Sequence, residues 1–326
     1  VSSSREKLIQ LLSAHMHTFV SGQWLSEQLD ISRTAIWKQI KQLKSDGYQF
    51  EAVPNKGYRL ISQPDKVSEN TIYWGLNTNW LGKTLEHYEE IDSTQRLANQ
   101  KAQVGAQEGL VIVSDRQTKG KGRLDRNWDS DNAKGIWLSF ILRPKLLPSE
   151  APQLTLLTAI CLADTIKSLT NVEPSIKWPN DLLINEKKIA GILTEMQAEQ
   201  DQIHYLVIGI GLNVNQNQSD FPSGLGNIAT SLATVANQEF HKQEIIRDLL
   251  MRFETYYQNY LTDGFKMIKS KWESYAYKLG EILTYRSGKQ RSQGKMIGIA
   301  DDGALIIEDV HGHKTKKLYS AEIEWF

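Results

Sequence analysis

Two short amphipathic stretches three residues apart, followed by a turn tetrapeptide between two β-prone runs, constrain the first sixty residues more than any other feature of the chain. Leu8, Ile9, Leu11 and Leu12 form an apolar face at helical spacing. Ser21-Gly22-Gln23-Trp24-Leu25-Ser26-Glu27-Gln28-Leu29 predicts a short helix with a polar start, and Asp30-Ile31-Ser32 a tight turn. Ser32 is then the natural N-cap of a second helix reaching about Asp46, with Ile36, Ile40 and Leu43 on one face and Gly47 as its stop. Two helices joined so tightly have the form of a helix-turn-helix. Tyr48 to Val53 and Tyr58 to Ile61, on either side of Pro54-Asn55-Lys56-Gly57, predict a hairpin in the place of a wing.

The formal net charge is zero, 38 basic against 38 acidic residues, so a polyanionic partner has to be signalled locally. The second helix does so: it carries Arg33, Lys38, Lys41 and Lys44 with no acid before Asp46, and the wing adds Lys56 and Arg59. A basic stripe on such a helix suits phosphate contact, and the helix N-terminus is where base edges are reached. The competing interpretation is a solvated basic face on an ordinary three-helix domain. Helix, turn, wing and charge agree on DNA, with Ser32, Arg33, Thr34, Lys38, Lys41, Lys56 and Arg59 as contact candidates.

A chain of 326 residues with 40% hydrophobic content divides into two or three domains. The expected fold class is α+β multidomain: a winged helix-turn-helix over residues 1–63, a central α/β domain with a mixed sheet over 71–272, and a small SH3-like β-barrel over 273–326. Residues 63–70, with Pro64, Asp65 and Lys66, predict a linker. Strands are expected at Leu85 to Ile91, Leu110 to Ser114, Ile136 to Leu142, Leu182 to Ile184, Ile189 to Glu195 and Tyr205 to Asn213. Helices are expected at Thr94 to Ala102, Pro152 to Leu169 and Lys242 to Leu261, and late turns at Ser287-Gly288, Asp302-Gly303 and His311-Gly312. The longest apolar run, Leu154 to Ile166, is interrupted by Asp164 and is too short to span a bilayer, so it predicts a buried helix with Cys161 as a core residue. One cysteine forms no internal disulfide, which fits a reducing compartment. Val1 to Glu6 do not resemble a signal peptide. A cytoplasmic protein without a membrane partner is expected.

Four segments carry the chemistry. Asp115-Arg116-Gln117-Thr118-Lys119-Gly120-Lys121-Gly122-Arg123, running on to Trp128, alternates glycines with cations. Such a loop lets backbone N–H groups approach an anion while the cations neutralise it, although a mobile basic surface loop has the same composition. It lacks the Gly-Lys-Ser/Thr ending of a Walker A loop. Lys177-Trp178-Pro179-Asn180-Asp181 is either a plain turn or, with an aromatic beside a cation, a nucleotide surface. The others are Lys187-Lys188-Ile189-Ala190-Gly191-Ile192-Leu193-Thr194-Glu195 and Gly209-Ile210-Gly211-Leu212-Asn213. The last has no third glycine and continues as a strand, which argues against a dinucleotide fingerprint.

Taken in order, Ser93-Thr94-Gln95, the Gly120-to-Arg123 loop with Trp128, Lys177 to Asp181, Lys188 to Gly191 and Gly209 to Asn213 resemble the bifunctional biotin protein ligases, also called biotin operon repressors. The resemblance covers essentially the whole chain. One position departs: the family often has Gly-Arg-Gly-Arg in the loop, and here the first arginine is Lys121, which keeps the charge but loses the bidentate fork.

The resemblance implies two half-reactions. Biotin and ATP give biotinyl-5′-AMP and pyrophosphate, and a lysine of a biotin carboxyl carrier protein then takes the biotinyl group. It assigns biotin contacts to Ser93, Thr94, Gln95, Gln117, Lys121, Gly122, Arg123 and Lys188. Of these, Lys188, Arg123 and Lys121 are the catalytic cations. It assigns nucleotide contacts to Trp128, Lys177, Asn180 and Asn213, and Asp181 to the shell of the Mg²⁺ that accompanies ATP. The loop Gln117 to Lys134 is expected to be mobile without ligand and to order over the adenylate. Biotinyl-5′-AMP then acts as corepressor by promoting a homodimer on operator DNA, with Arg143 to Pro148 and Gln197 to Gln202 as interface candidates. Three rivals stand beside this. A ligand sensor with an inactive enzyme domain conflicts with the intact cation set. A lipoate or octanoyl ligase usually carries a triple glycine and no winged helix. A ligase whose N-terminal domain is purely architectural is not separated by charge alone.

Overall fold

Ser32 shapes the first unit. In the computed structural model, which describes residues 4–16, 18–310 and 314–324, its Oγ accepts from Ala35 N at 3.1 Å and starts the second helix of the pair. The order is α1 (Ser4–Ala14), α2 (Gly22–Leu29), α3 (Arg33–Ser45), β1 (Gln49–Val53), β2 (Gly57–Ser62) and α4 (Glu69–Tyr73). Ser21 caps α2, and Ile36, Ile40 and Leu43 are the buried residues of α3, as their spacing required. Gly47 takes a φ of +102° just beyond α3, a conformation that favours glycine. The wing is the antiparallel pair β1–β2, and Val20 bridges Tyr58 as a third short edge. Leu8, Ile9, Leu12 and Leu25 close the core beneath it.

The expected linker ends earlier than the composition suggested. Ser68 and Thr71 form a reciprocal capping box that starts α4 inside it, and Thr71, Ile72 and Tyr73 are buried. By contact density the chain forms two units, Val1–Asn79 with His241–Met251, and Trp80–Phe240 with Arg252–Phe326.

The second unit contains β3 (Leu85–Ile91), α5 (Thr94–Gln103), β4 (Val111–Gln117), β5 (Ile136–Leu142), α6 (Ala151–Thr170), β6 (Ser175–Lys177), β7 (Asp181–Ile184), β8 (Lys187–Ala198), β9 (Ile203–Leu212) and α7 (Leu232–Ala236). Then follow α8 (Lys242–Asp263), whose first residues belong to the other unit, α9 (Lys266–Tyr275), β10 (Ile282–Ser287), β11 (Gln290–Ile299), β12 (Leu305–Glu308), β13 (Thr315–Leu318) and β14 (Glu322–Ile323). The larger sheet has the order β3-β4-β5-β9-β8-β7-β6. It is mixed: β3 and β4 are parallel across the α5 crossover, and the remaining pairs are antiparallel. All seven residues of β5 are buried, as the middle of a covered sheet requires. The apolar run at Leu154 is α6, buried on nearly every side, with Cys161 fully inside it.

The C-terminal strands pair antiparallel in the order β13-β12-β11-β10-β14. This is the expected small C-terminal β domain, a five-stranded antiparallel sheet. The predicted turn at His311-Gly312 lies outside the described residues, as do Val1 to Ser3. The junction read at 272/273 falls within α9, because Ile268, Trp272 and Tyr275 recur at helical spacing and are buried together. Among the described residues no helix is long and apolar enough to cross a membrane.

Candidate active site

The glycines of β8 and β9 hollow out the larger sheet. A Cβ at Gly191 or Gly211 would meet the Trp128 ring at 2.8 or 2.6 Å, and one at Gly209 would meet Gln95 Oε1 at 2.4 Å. The Gly209-x-Gly211 pattern therefore serves close side-chain approach. Above it lies a cavity of about 390 Å³. It is lined by Ser93, Thr94, Gln95, Gln117, Lys121, Gly122, Arg123, Trp128, Lys177, Asn180, Asp181 and Lys188, drawn from four separated segments.

One end is buried and neutral. Ser93 caps α5 by accepting from Arg96 N at 3.4 Å, so the next two residues enter the helix with their side chains inward. Thr94 N and Oγ1 donate to Gln117 Oε1 at 2.8 and 3.1 Å, and Thr94 Oγ1 also lies 2.9 Å from Ser139 Oγ. Ser139 Oγ donates to Gln95 Oε1 at 3.1 Å, and Gln117 Nε2 to Ser130 Oγ at 3.1 Å. All are buried, and a buried polar group without a partner is costly, so each amide is held in one orientation.

The other end is cationic, and every cation has a local partner. Lys121 Nζ lies 2.5 Å from Glu195 Oε1, Lys188 Nζ 2.8 Å from Asp181 Oδ1, and Arg123 Nη1 donates to Asn180 Oδ1 at 2.8 Å. Asn180 Nδ2 in turn donates to Ile192 O at 2.9 Å. Lys177 is buried, and burial lowers its ammonium to about 8 against the opposing pull of Asp181. Burial likewise pushes the Arg123 guanidinium down from its ordinary value, with Asp181 opposing. The Lys188 ammonium sits 5.1 Å from the Trp128 ring centre, and Trp128 Nε1 is a buried donor with no hydrogen-bond partner among the described residues. The loop 121–128 is strained: Leu124 and Asp125 hold φ of 54° and 55°, and Leu124 is 72% exposed.

One sequence expectation moves. Asn213 is not brought to the cavity: its Nδ2 donates to Thr230 O at 3.0 Å and its Oδ1 accepts from Gln216 Nε2 at 3.4 Å, which satisfies a buried amide and pins the following loop. Two aromatics line the cavity: Trp128, with the Lys188 ammonium over its ring, and Trp178, which is buried and donates to Gly303 O at 3.3 Å. The sequence reading missed Ser139 and the glycine floor, and it missed the C-terminal strands, which bring Arg286, Ser320 and Glu322 to the rim. Glu322 pairs with Arg126 of the loop at 2.5 Å. A serine inside an apolar strand such as β5 was a usable signal for Ser139; residues more than a hundred positions downstream left none.

On the first unit, Ser32, Arg33, Thr34, Lys38, Lys41 and Lys56 are exposed. Arg59 is half-buried, pairs with Glu51 across the wing and stacks 4.7 Å from the Phe19 ring centre. Arg143, read as part of an interface loop, is occupied within the chain: its guanidinium donates to Ala102 O at 2.8 Å, Ala106 O at 2.8 Å and His204 O at 2.9 Å, closing the C-terminal end of α5.

The chain resembles known proteins over both units. Residues 88–213 match the biotin/lipoate A/B protein ligase family, and residues 4–59 match an HTH domain. It is 46% identical over 323 residues, 99% of each chain, to the bifunctional ligase/repressor BirA of Bacillus subtilis (strain 168). It is 29% identical to the protein of the same name from Escherichia coli (strain K12), over 93% of this chain and 91% of that one. The solved biotin protein ligase from Aquifex aeolicus, in complex with biotin and ATP, superposes with a TM-score of 0.65 at 31% identity, covering 74% of this chain and 98% of that one.

Proposed function

The chain belongs to the family of bifunctional biotin ligase/repressors, and from that premise we propose how its cavity and its winged helix carry the two activities. It is an ATP-dependent biotin protein ligase and a biotin-responsive repressor. The observation that carries the assignment of the site is the single cavity in which the head-group candidates and all the candidate cations meet.

In the first step a biotin carboxylate oxygen bonds to the α-phosphorus of ATP, the bond from that phosphorus to the bridging oxygen breaks, and pyrophosphate leaves. Two anions must be brought together, so preorganised cations are worth most here. Lys188, Arg123 and Lys121 stabilise the carboxylate and the developing phosphoryl charge. Ser93, Thr94, Gln95 and Gln117 hold the biotin head, and Gly122 lets the loop backbone approach. Lys177, Asn180 and Trp128 receive the nucleotide, while Asn213 supports the site from outside the cavity. In the second step an acceptor lysine nitrogen bonds to the acyl carbon, AMP leaves with the mixed-anhydride oxygen, and the amine loses its proton to solvent. No protein nucleophile is needed.

Mg²⁺ accompanies ATP. Among the described residues no group of three or more His, Cys, Asp or Glu side chains could hold a metal ion, and Asp181 is engaged by Lys188. Mg²⁺ normally keeps substrate phosphates and water with one or two carboxylates, and Asp181 is the carboxylate we propose for that shell.

The strained Leu124–Asp125 backbone and the internally paired cations support a loop that rearranges when the ligand arrives. The acceptor is a biotin carboxyl carrier protein. Exposed cations at Arg33, Lys38, Lys41 and Lys56, with Ser32 and Thr34 at the helix start, meet operator DNA, and Arg59 braces the wing. Biotinyl-5′-AMP promotes a homodimer that places two such helices on one operator, in the cytoplasm where ATP, DNA and acceptor coexist. The working division is 1–63 for DNA, 71 to the end of α9 for catalysis, and the remainder as the C-terminal β domain.

The test is biotin-dependent pyrophosphate release from ATP, wild type beside Lys188→Ala. Release that requires biotin and falls sharply in the variant supports the assignment. No release from folded wild type with Mg²⁺ overturns it.

A further inference from the structure

Glu195 has no role in the steps above, yet three side chains from two separate elements end on its carboxylate. It stands on β8, and its Oε2 accepts from Gln95 Nε2 at 3.0 Å and from Asn99 Nδ2 at 2.9 Å, one turn apart on α5. Its Oε1 lies 2.5 Å from Lys121 Nζ on the glycine-rich loop. We propose that Glu195 is a positioning residue that sets which way the Gln95 amide faces and ties the Lys121 loop to it, so that head-group recognition and the cationic loop are coupled through one carboxylate. The inference rests on reading the cavity as the biotin site.

The argument is one of donor and acceptor polarity. A side-chain amide can turn over and present either its oxygen or its NH₂, so Gln95 alone does not decide what the cavity offers. A carboxylate paired with an ammonium only accepts. Gln95 must therefore turn its NH₂ toward Glu195, where Val207 O at 3.3 Å takes a second bond. Its Oε1 is left on the far side, 3.1 Å from Ser139 Oγ and directly above Gly209. The cavity floor thus presents an acceptor, which suits a head group whose ring carries urea N–H donors. Asn99 adds a further donor to the same carboxylate oxygen and holds it in place.

The same contact accounts for lysine at position 121. An ammonium has three donors in a compact tetrahedral arrangement. One is spent on Glu195, and the others remain available for the ligand's anion on the cavity side. Lys121 is then held at one distance from Gln95, and moving the loop moves a charge that the head-group side also senses.

The experiment uses the full chain with Glu195→Gln, Lys121→Met, the double variant and Gln95→Ala. Biotin binding is measured by calorimetry without ATP, followed by pyrophosphate release with biotin and ATP each titrated. Glu195→Gln is close in shape but frees the amide to turn and removes the charge facing Lys121. The expected result is a biotin Kd and KM raised about tenfold, with the ATP KM and the melting temperature near wild type. Lys121→Met should weaken biotin less, and the double variant should fall short of the product of the two effects. Glu195→Gln binding biotin like wild type, while Gln95→Ala weakens it, would overturn the inference and leave the cavity reading standing. If neither changes binding, the cavity assignment fails, and the inference with it. A lowered melting temperature with biotin and ATP KM raised alike would also overturn it, because that is the signature of general loosening.

Discussion

The two ends of the cavity are built on opposite principles. At the buried end, Thr94, Gln95, Gln117 and Ser139 are joined by hydrogen bonds between neutral groups. At the open end, Lys121 and Arg126, on a loop whose backbone is strained at Leu124 and Asp125, and Lys188, on β8, face protein carboxylates at 2.5 to 2.8 Å. The neutral end is preorganised and gains from a ligand that copies its polarity. The cationic end is held by internal counter-charges that an anionic ligand has to supplement or replace. Binding the head and driving the chemistry thus rest on different groups, joined through the Glu195 carboxylate, and variants at the two ends should fail differently.

The largest separation is expected from Arg123→Glu, which reverses a charge at the open end. Adenylate formation should fall by about 10³-fold, comparable to or beyond removal of one transition-state donor, while biotin alone still binds. Ligand-stimulated DNA binding should disappear with it, and a mobility-shift assay with biotin and ATP that retains tight binding would break the link between the two activities. Next is Gly209→Ala at the buried end. The new Cβ would sit 2.4 Å from Gln95 Oε1, and overpacking of about 1–3 kcal/mol should weaken biotin about ten- to a hundredfold by calorimetry, with kcat at saturating biotin far less affected. A variant that lost kcat instead would show the two ends to be coupled more tightly than their contacts suggest. Thr94→Val removes one hydroxyl from the neutral set and strands its partners, for about 1–3 kcal/mol of combined binding and stability, read from biotin Kd and melting temperature together.

The smallest effect is in pH. Burial lowers Lys177 to about 8, so in the folded protein it is charged below that pH and neutral above it. If it meets the nucleotide, the ATP KM should rise severalfold as pH passes through 8 and flatten in Lys177→Arg. Stability should move the other way. Between about 8 and 10.5 the unfolded chain holds the proton that the folded chain has lost, so this group makes the fold more stable as pH rises through that interval.

Much of this was legible without coordinates. The helix-turn-helix needed only the Ser32 cap, the Gly47 stop and the apolar spacing of Ile36, Ile40 and Leu43, because those interactions span a few residues. Strands β3 and β5 appeared at their predicted bounds, and for β5 the apolar run encodes burial directly. The capping box at Ser68 was obscured by the Pro-Asp-Lys composition just before it, and α9 by a boundary drawn through its middle. The motif residues were recognisable as a set, but Asn213 and Trp178 show the limit of a motif. Each is in the right segment, and the orientation of each is set by a backbone carbonyl distant in sequence, Thr230 O for Asn213 and Gly303 O for Trp178.

What the sequence determined by itself is therefore local or periodic: caps, turns, amphipathic faces, the basic helix and the inventory of glycines and cations. What the tertiary structure decided is partnership. Gly209 and Gly211 became a floor because Gln95 and Trp128 come down on them, and Glu195 became a junction because α5 and a loop seventy-four residues earlier both reach β8. Such pairings depend on strand register and on which face of the sheet a side chain occupies. A change of one residue in either reverses them, and nothing within a short window of sequence carries that information.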